Sequence, residues 1–341
     1  MTKMYKIMFT SSLIMGTLVS VSSHSWMGMW LGLEINLLSI IPLMSSSTNI
    51  LSSESSLKYF IVQAMASTII LFSIIIMMTT NNMLNNLNFN IITMIILNSA
   101  LLTKMGAAPF HFWFPEVMEG LNWNNCLMLL TWQKIAPMVL VMYNIKMLYF
   151  MSMIIIFSMI VSGIMGINQT SLRKILAYSS INHIAWMISS MFFMESIWMI
   201  YFSVYSVISI NMIFIFKKMN VFYLKQLFSS INNNILMKIL FIMNFLSLGG
   251  LPPFLGFFPK WMVIQNLIVN EMYTLSIIMV VLTLITLYFY MRITFSTLMM
   301  SMYEINWMPN WNLQKNELFI MTFNILSITG LVICTFIFNW M

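Results

Sequence analysis

Long apolar stretches, separated by short polar connections, constrain the fold of this chain more than any other feature. A hydrocarbon bilayer core needs about 20 consecutive apolar residues per helix. Lipid cannot hydrogen-bond to the backbone, so each stretch must satisfy its own amides as a helix. The sequence therefore predicts an all-α polytopic membrane protein with about eleven transmembrane helices. The predicted spans are 7–21, 26–44, 58–78, 91–118, 124–143, 148–167, 174–193, 196–216, 236–267, 272–298 and 317–338.

Composition excludes a water-facing domain and several functions. Of 341 residues, 60% are hydrophobic and 7% are charged, whereas soluble domains carry about 25% charged residues. We therefore expect one transmembrane domain over 1–341 and no soluble domain. The net charge is +7, but the cations do not form aromatic-interleaved patches, so no nucleic-acid partner is expected. Two cysteines, Cys126 and Cys334, and three widely separated histidines are too few for an iron–sulfur or metal site.

The distribution of positive charge predicts the topology. If successive spans alternate in direction, the side of the N-terminus receives eleven of the fifteen basic residues and the opposite side receives Lys146. This asymmetry places the N-terminus on the positive side of the membrane. The remaining three cations, Lys104, Lys134 and Lys260, fall inside predicted spans. Glu34 is the acid that falls in the middle of a span.

Two spans are unusually long and contain helix-breaking residues. The span 91–118 is interrupted near Gly106 and Pro109, close to Lys104. The span 236–267 is interrupted at Gly249, Gly250, Pro252 and Pro253, before Lys260. Matched broken helices are typical of an inverted repeat with an ion or proton site at mid-membrane. Glu34 precedes Lys104 by 70 residues and His183 precedes Lys260 by 77, a spacing that either a repeat or chance would give.

The four intramembrane ionisable residues favour proton transfer. Burial disfavours the charged form of an amine, and a nearby carboxylate favours it, so Glu34 beside Lys104 could load and unload a proton. His111 and His183 are possible relay members. Structural interpretations remain open: Lys104 could snorkel to an interface, Lys134 could bind carbonyls freed by Pro137, and Trp261 could mark an interface at Lys260. Each histidine could simply be hydrogen-bonded between helices.

Four motifs give the chain a family resemblance. In order, they are LTKMGAAPFHFWFPEVMEG, TWQKIAP, SLRKILAYSSINH and SLGGLPPFLGFFPKW. They resemble the NADH dehydrogenase subunit 2 family, the antiporter-like membrane chains of respiratory complex I, with a composition similar to insects or related invertebrates. The resemblance implies a proton-translocating subunit, with Glu34, Lys104, Lys134 and Lys260 as its line of buried charges. It also implies an antiporter-like inverted repeat.

The resemblance extends to cofactors, partners and location. It implies that NADH, FMN, iron–sulfur clusters and ubiquinone bind to other subunits, and that this chain holds no cofactor and no metal. The implied partners are neighbouring membrane subunits, including other antiporter-like chains, accessory subunits and a phospholipid such as cardiolipin. The implied location is the mitochondrial inner membrane, with the N-terminus in the matrix. The 40 methionines agree with an animal mitochondrial genetic code.

Two alternative functions use the same residues. A self-standing cation/proton exchanger would need the buried charges but no partner subunits. A structural membrane protein would need the helices but not their charges, so neutralising Lys104 would leave proton pumping intact.

Overall fold

A computed structural model describes residues 2–46, 49–80, 91–145, 147–231, 235–299 and 330. The described residues are almost entirely helical, and an isolated bridge joins Ser171 to Tyr223. Seven helices in this part of the chain are long and apolar enough to cross a membrane, and two shorter apolar helices accompany them. The chain forms two compact units, Met1–Ser158 and Met159–Met341.

The first unit is built from seven helices and the start of an eighth. They are α1 (Thr2–Ser22), α2 (Trp26–Met44), α3 (Ile50–Thr80), α4 (Ile91–Met105), α5 (Trp113–Gly120), α6 (Trp123–Leu130), α7 (Trp132–Met142) and α8 (Leu148–Ile167). The second unit continues with α9 (Leu172–Met191), α10 (Glu195–Met219), α11 (Leu224–Ile231), α12 (Ile235–Gly249), α13 (Phe257–Val269) and α14 (Tyr273–Met299).

Small residues let α1 and α2 pack closely. A Cβ atom added at Gly32 would lie 2.5 Å from the backbone nitrogen of Ser20, and one added at Gly16 would lie 2.9 Å from that of Asn36. Glycines allow such close approach of two backbones, which membrane helices use because lipid provides no hydrophobic force between them. This contact helps to hold α2, which carries Glu34, in the first unit.

The same order of packing recurs in both units. In the first unit, α3 packs against α2, α4 and α5, and α7 packs against α2 and α4. In the second unit, α10 packs against α9, α12 and α13, and α14 packs against α9 and α12. In each unit, one broken helix thus packs against two neighbours: α4–α5 against α3 and α7, and α12–α13 against α10 and α14. The repeat predicted from the broken spans therefore has a structural counterpart.

The helices differ from the predicted spans in three places. The third begins at Ile50 rather than near residue 58, and the fifth is divided at Thr131 into α6 and α7. A further helix, α11, lies in a region predicted to be a connection; Leu227 and Ile231, four residues apart, are its buried residues. Cys334, Lys146 and all of the span 317–338 except Gly330 lie outside the described residues, so the count of eleven spans stays a prediction.

Candidate functional site

Both broken helices turn at a glycine with a left-handed backbone. Helix α4 ends at Met105, and Gly106 has a φ of +76°. Helix α12 ends at Gly249, and Gly250 has a φ of +78°. This conformation is the usual way to close a helix, and glycine adopts it without a steric cost. The sequence therefore placed both breaks correctly.

The two breaks share their hydrogen bonds in register. The amides of Gly106 and Ala107 both donate to the Leu102 carbonyl, at 3.0 and 3.1 Å. The amides of Gly250 and Leu251 both donate to the Leu246 carbonyl, at 3.1 and 3.3 Å. Each residue of the first break thus corresponds to the residue 144 positions later. The charged residues do not correspond.

In this alignment the two lysines lie on different sides of their turns. Lys104 lies before the first turn, in α4, and its counterpart is Leu248. Lys260 lies after the second turn, in α13, and its counterpart is Glu116. Each break therefore has a buried lysine beside it, but the two lysines do not occupy equivalent positions.

The Lys260 ammonium binds the end of α12. Its Nζ donates to the carbonyl oxygens of Gly249 at 2.9 Å and Leu248 at 3.3 Å. It also lies 5.9 Å from the centre of the Trp186 ring on α9. A Cβ atom at Gly250 would lie 2.8 Å from the Lys260 side chain, so Gly250 provides both the turn and the space. The carbonyl end of a helix carries partial negative charge and favours a cation there.

The side chain of Lys104 has a different environment. The residue is buried, 7% exposed, and its backbone carbonyl accepts a hydrogen bond from Gln63 Nε2 on α3 at 3.3 Å. Glu34 on α2 attracts its ammonium electrostatically. The Oε2 atom of Glu34 is buried and has no hydrogen-bond partner in the described part of the chain. Glu34 and Lys104, which the sequence predicts to interact, therefore lie in the same region of the first unit.

A small polar cavity adjoins Lys104. Its polar lining comes from Asn36 on α2, Tyr59 and Gln63 on α3, Lys104 on α4 and Gln133 on α7. Gln133 Nε2 donates to Asn36 Oδ1 at 2.8 Å, and Tyr59 Oη donates to Gln133 Oε1 at 3.4 Å. A cavity lined by such groups suits water, which needs several polar partners.

Lys134 is buried close to the first break. It is 1% exposed, and its Nζ lies 5.6 Å from the centre of the Phe114 ring on α5. Phe114 in turn packs against Gly106, where an added Cβ atom would lie 3.1 Å from the Phe114 Cβ. The interruption at Thr131, one turn before Lys134, was not predicted. Pro137, which cannot donate to the carbonyl of Gln133, was the available sequence signal.

The two histidines differ in their surroundings. His111 lies between α4 and α5, is 4% exposed and has its ring centre 4.4 Å from that of Phe112. His183 lies on α9, where its Nδ1 is 2.9 Å from Tyr201 Oη and its ring centre is 5.0 Å from that of Tyr205. His183 therefore belongs to a hydrogen-bonded cluster with α10.

The structure brings together most of the predicted residues within each unit. Glu34, Lys104 and Lys134 lie near the first break. At the second break, Lys260 contacts α9, the helix that carries His183. Sequence reasoning missed Gln63, although an amide within the apolar run of α3, four residues after Tyr59, was a usable signal. Among the described residues, no group of three His, Cys, Asp or Glu side chains is placed to hold a metal ion.

Comparisons with known proteins cover nearly the whole chain. A family model described as NADH:quinone oxidoreductase/Mrp antiporter, TM matches residues 23–286. A second model, NADH dehydrogenase subunit 2 C-terminus, matches residues 287–338. The chain is 50% identical to NADH-ubiquinone oxidoreductase chain 2 of Locusta migratoria, over 97% of this chain and 96% of that protein. It is 51% identical to the chain 2 of Anopheles gambiae, over 99% of both.

A solved structure supports the fold. A chain of respiratory complex I from Thermus thermophilus, with bound Aureothin, matches with a TM-score of 0.84 over 95% of this chain and 77% of that chain. Its sequence identity is 19%, so this likeness concerns the fold. The matches confirm the resemblance predicted from the four motifs and the antiporter-like membrane fold.

Proposed function

Because this chain belongs to the NADH-ubiquinone oxidoreductase chain 2 family, we propose that Glu34, Lys104, Lys134 and Lys260 transfer protons through it. The chain is a proton-translocating membrane subunit of respiratory complex I. The observation that carries the residue assignment is the first break, where Lys104 adjoins a polar cavity and is attracted by Glu34. An amine and a carboxylate beside a hydrated space can exchange a proton.

Lys104 and Glu34 form the exchanging pair in this proposal. A carboxylate favours the ammonium form of Lys104, and burial favours its neutral form. A small movement of α2 or α4 would change the balance and let the amine accept or release a proton. Water in the cavity would carry that proton along Asn36, Tyr59 and Gln133. Lys134, buried beside Phe114, is the next acceptor in the same unit.

Lys260 and His183 extend the proposal to the second unit. Lys260 holds its ammonium on the end of α12, and His183 shares a hydrogen bond with Tyr201. An imidazole and a hydroxyl can each both accept and donate a proton, so His183 and Tyr201 can act as relay members. His111, buried in the first break, has the corresponding role there.

The redox chemistry belongs to other subunits in this proposal. NADH, FMN, iron–sulfur clusters and ubiquinone bind elsewhere in the complex, and this chain supplies the proton path. Its partners are other membrane subunits of complex I, accessory subunits and a phospholipid such as cardiolipin. The chain lies in the mitochondrial inner membrane. The excess of Lys and Arg on one side supports an N-terminus in the matrix in this proposal.

The experiment replaces Lys104 by Met in the assembled complex in sealed inner-membrane vesicles. Lys104→Met keeps the packing volume but removes the amine, so NADH-driven proton pumping should fall by on the order of tenfold or more. The amount of complex on native gels should stay normal. Leu248→Met, at the corresponding position of the second break, is the matched control and should pump normally.

Normal pumping by Lys104→Met would refute the proton role of Lys104. Normal pumping together with poor assembly would favour a purely structural role for this chain. Proton exchange by the isolated chain, without the rest of the complex, would favour a self-standing exchanger.

A further inference from the structure

One pair of corresponding carbonyls in the two breaks accepts hydrogen bonds from different kinds of donor. In the second break, the carbonyl of Leu248 accepts from the Lys260 ammonium. In the first break, the corresponding carbonyl is that of Lys104, and it accepts from the Gln63 amide. The neutral side chain of Gln63 thus takes the place at the end of α4 that a cation takes at the end of α12.

This difference matters because the last carbonyls of a helix need donors. They have no partners within the helix, and lipid cannot supply them. At the end of α4, Trp113 Nε1 donates to the Thr103 carbonyl at 3.0 Å, and Gln63 donates to the Lys104 carbonyl at 3.3 Å. In the described part of the chain, the Lys104 amine itself makes no hydrogen bond with these carbonyls. Two neutral donors therefore satisfy an end that would otherwise attract an ammonium group.

We propose that Gln63 is a positioning residue that keeps the Lys104 amine available for proton exchange by satisfying the end of α4 with an uncharged donor. This inference rests on the proposed proton role of Lys104. Lysines near helix ends commonly bind the last carbonyls, as Lys260 does here across its turn. Without Gln63, the Lys104 ammonium would be drawn to the α4 end and away from Glu34.

The placement of Gln63 supports this role. It is 4% exposed and lines the same cavity as Lys104. Its amide binds the backbone carbonyl of Lys104 and not the amine. Helix α10 packs against the broken helix of the second unit as α3 does in the first, and its Ser209 follows a tyrosine by four residues as Gln63 does. The Ser209 hydroxyl donates to the carbonyl of Ser206 in its own helix at 2.9 Å.

The test replaces Gln63 by three residues in the assembled complex. Gln63→Leu removes the donor, and NADH-driven pumping per NADH oxidised should fall about fivefold, the scale of one lost hydrogen bond to a buried carbonyl. Gln63→His places a ring nitrogen at a similar reach and should restore most of the pumping. Gln63→Lys supplies a charged donor, as in the second break. Pumping by this variant should stay low because the new cation repels the Lys104 ammonium. Ser209→Ala is the matched control and should pump normally.

The outcomes separate this inference from the proposed function. If Lys104→Met loses pumping but Gln63→Leu pumps normally, the positioning role fails and the proton role of Lys104 stands. If Gln63→Leu is low and Gln63→His is equally low, or if Gln63→Lys pumps normally, the uncharged donor is not what matters and the inference is overturned. If Lys104→Met pumps normally, the proposed function fails as well. Loss by Gln63→Leu with recovery by Gln63→His, at normal complex content, supports the inference.

Discussion

The two broken helices have the same backbone and opposite arrangements of charge. Both close on a glycine with positive φ, and in both a single carbonyl accepts from the amides four and five residues later. In the first, the amine belongs to the helix before the turn. In the second, it belongs to the helix after the turn and reaches back. The comparison teaches that the side of the turn decides what a lysine can bind.

Geometry explains this difference. The side chain of a helical residue starts out toward the N-terminus of its helix, so the Lys104 amine would have to fold back to reach the carbonyls at its own helix end. The side chains of Gln63 and Trp113 already donate to those carbonyls. Lys260 approaches the end of α12 from α13 and meets those carbonyls directly. The Lys260 amine is bound by a helix end, whereas Lys104 lines a polar cavity. We expect the two halves to differ in how readily they exchange protons, although their folds repeat.

Replacing the glycine at each turn by alanine tests whether the two breaks differ in function, and the greater loss of pumping is expected at Gly250. Gly250→Ala should lower NADH-driven pumping by more than about tenfold, because left-handed backbone costs alanine roughly 1–2 kcal/mol and the new methyl group displaces Lys260. The added Cβ would lie 2.8 Å from the Lys260 side chain. Pumping in sealed vesicles, normalised to the content of assembled complex, measures the loss.

Gly106→Ala is the matched variant in the first break. Its added Cβ would lie 3.1 Å from the Phe114 Cβ, and its three nearest atoms all belong to Phe114. The backbone strain is the same, so pumping should fall only about threefold. Equal losses in the two variants would mean that the contact of Gly250 with Lys260 has no functional consequence.

The smallest change in pumping is expected at Glu116, the position that corresponds to Lys260 but carries an exposed charge. Glu116 corresponds to Lys260, but its carboxylate is 58% exposed and pairs with Lys58 at 3.1 Å. Lys58 also pairs with Glu54 at 3.1 Å. Exposed ion pairs contribute little, so Glu116→Gln should change the pumping rate by less than about twofold. A loss comparable to that of Lys104→Met would show that this position shares the role of Lys260.

The sequence predicted the breaks because their causes are local. Glycine and proline determine backbone geometry within a few residues, and a lysine within an apolar run is conspicuous. The family resemblance added Lys134 and Lys260 to one line of charges. The offset of 144 residues that aligns Lys104 with Leu248 also aligns Gly106 with Gly250 in the sequence. The matching backbone hydrogen bonds of the two turns are what identify this alignment.

The remaining features depend on packing between distant segments. Gln63 is 41 residues from Lys104, and its role follows from the contact of α3 with α4. The Gln133 bond to Asn36 joins residues 97 positions apart. The early start of α3 at Ile50 also eluded prediction, because its first turns contain several serines and Glu54. Such polar residues are typical of loops but also suit a helix end at the membrane surface.

The most direct test of the central claim is a density map of the assembled complex that shows ordered water. We predict a water molecule within hydrogen-bond distance of the Lys104 amine, in the cavity beside Asn36 and Gln133. We also predict that ordered water extends from this cavity to Glu34. We expect the Lys260 ammonium on the carbonyls of Leu248 and Gly249. A dry cavity, with the Lys104 amine turned to lipid or bound to a helix end, would contradict the account.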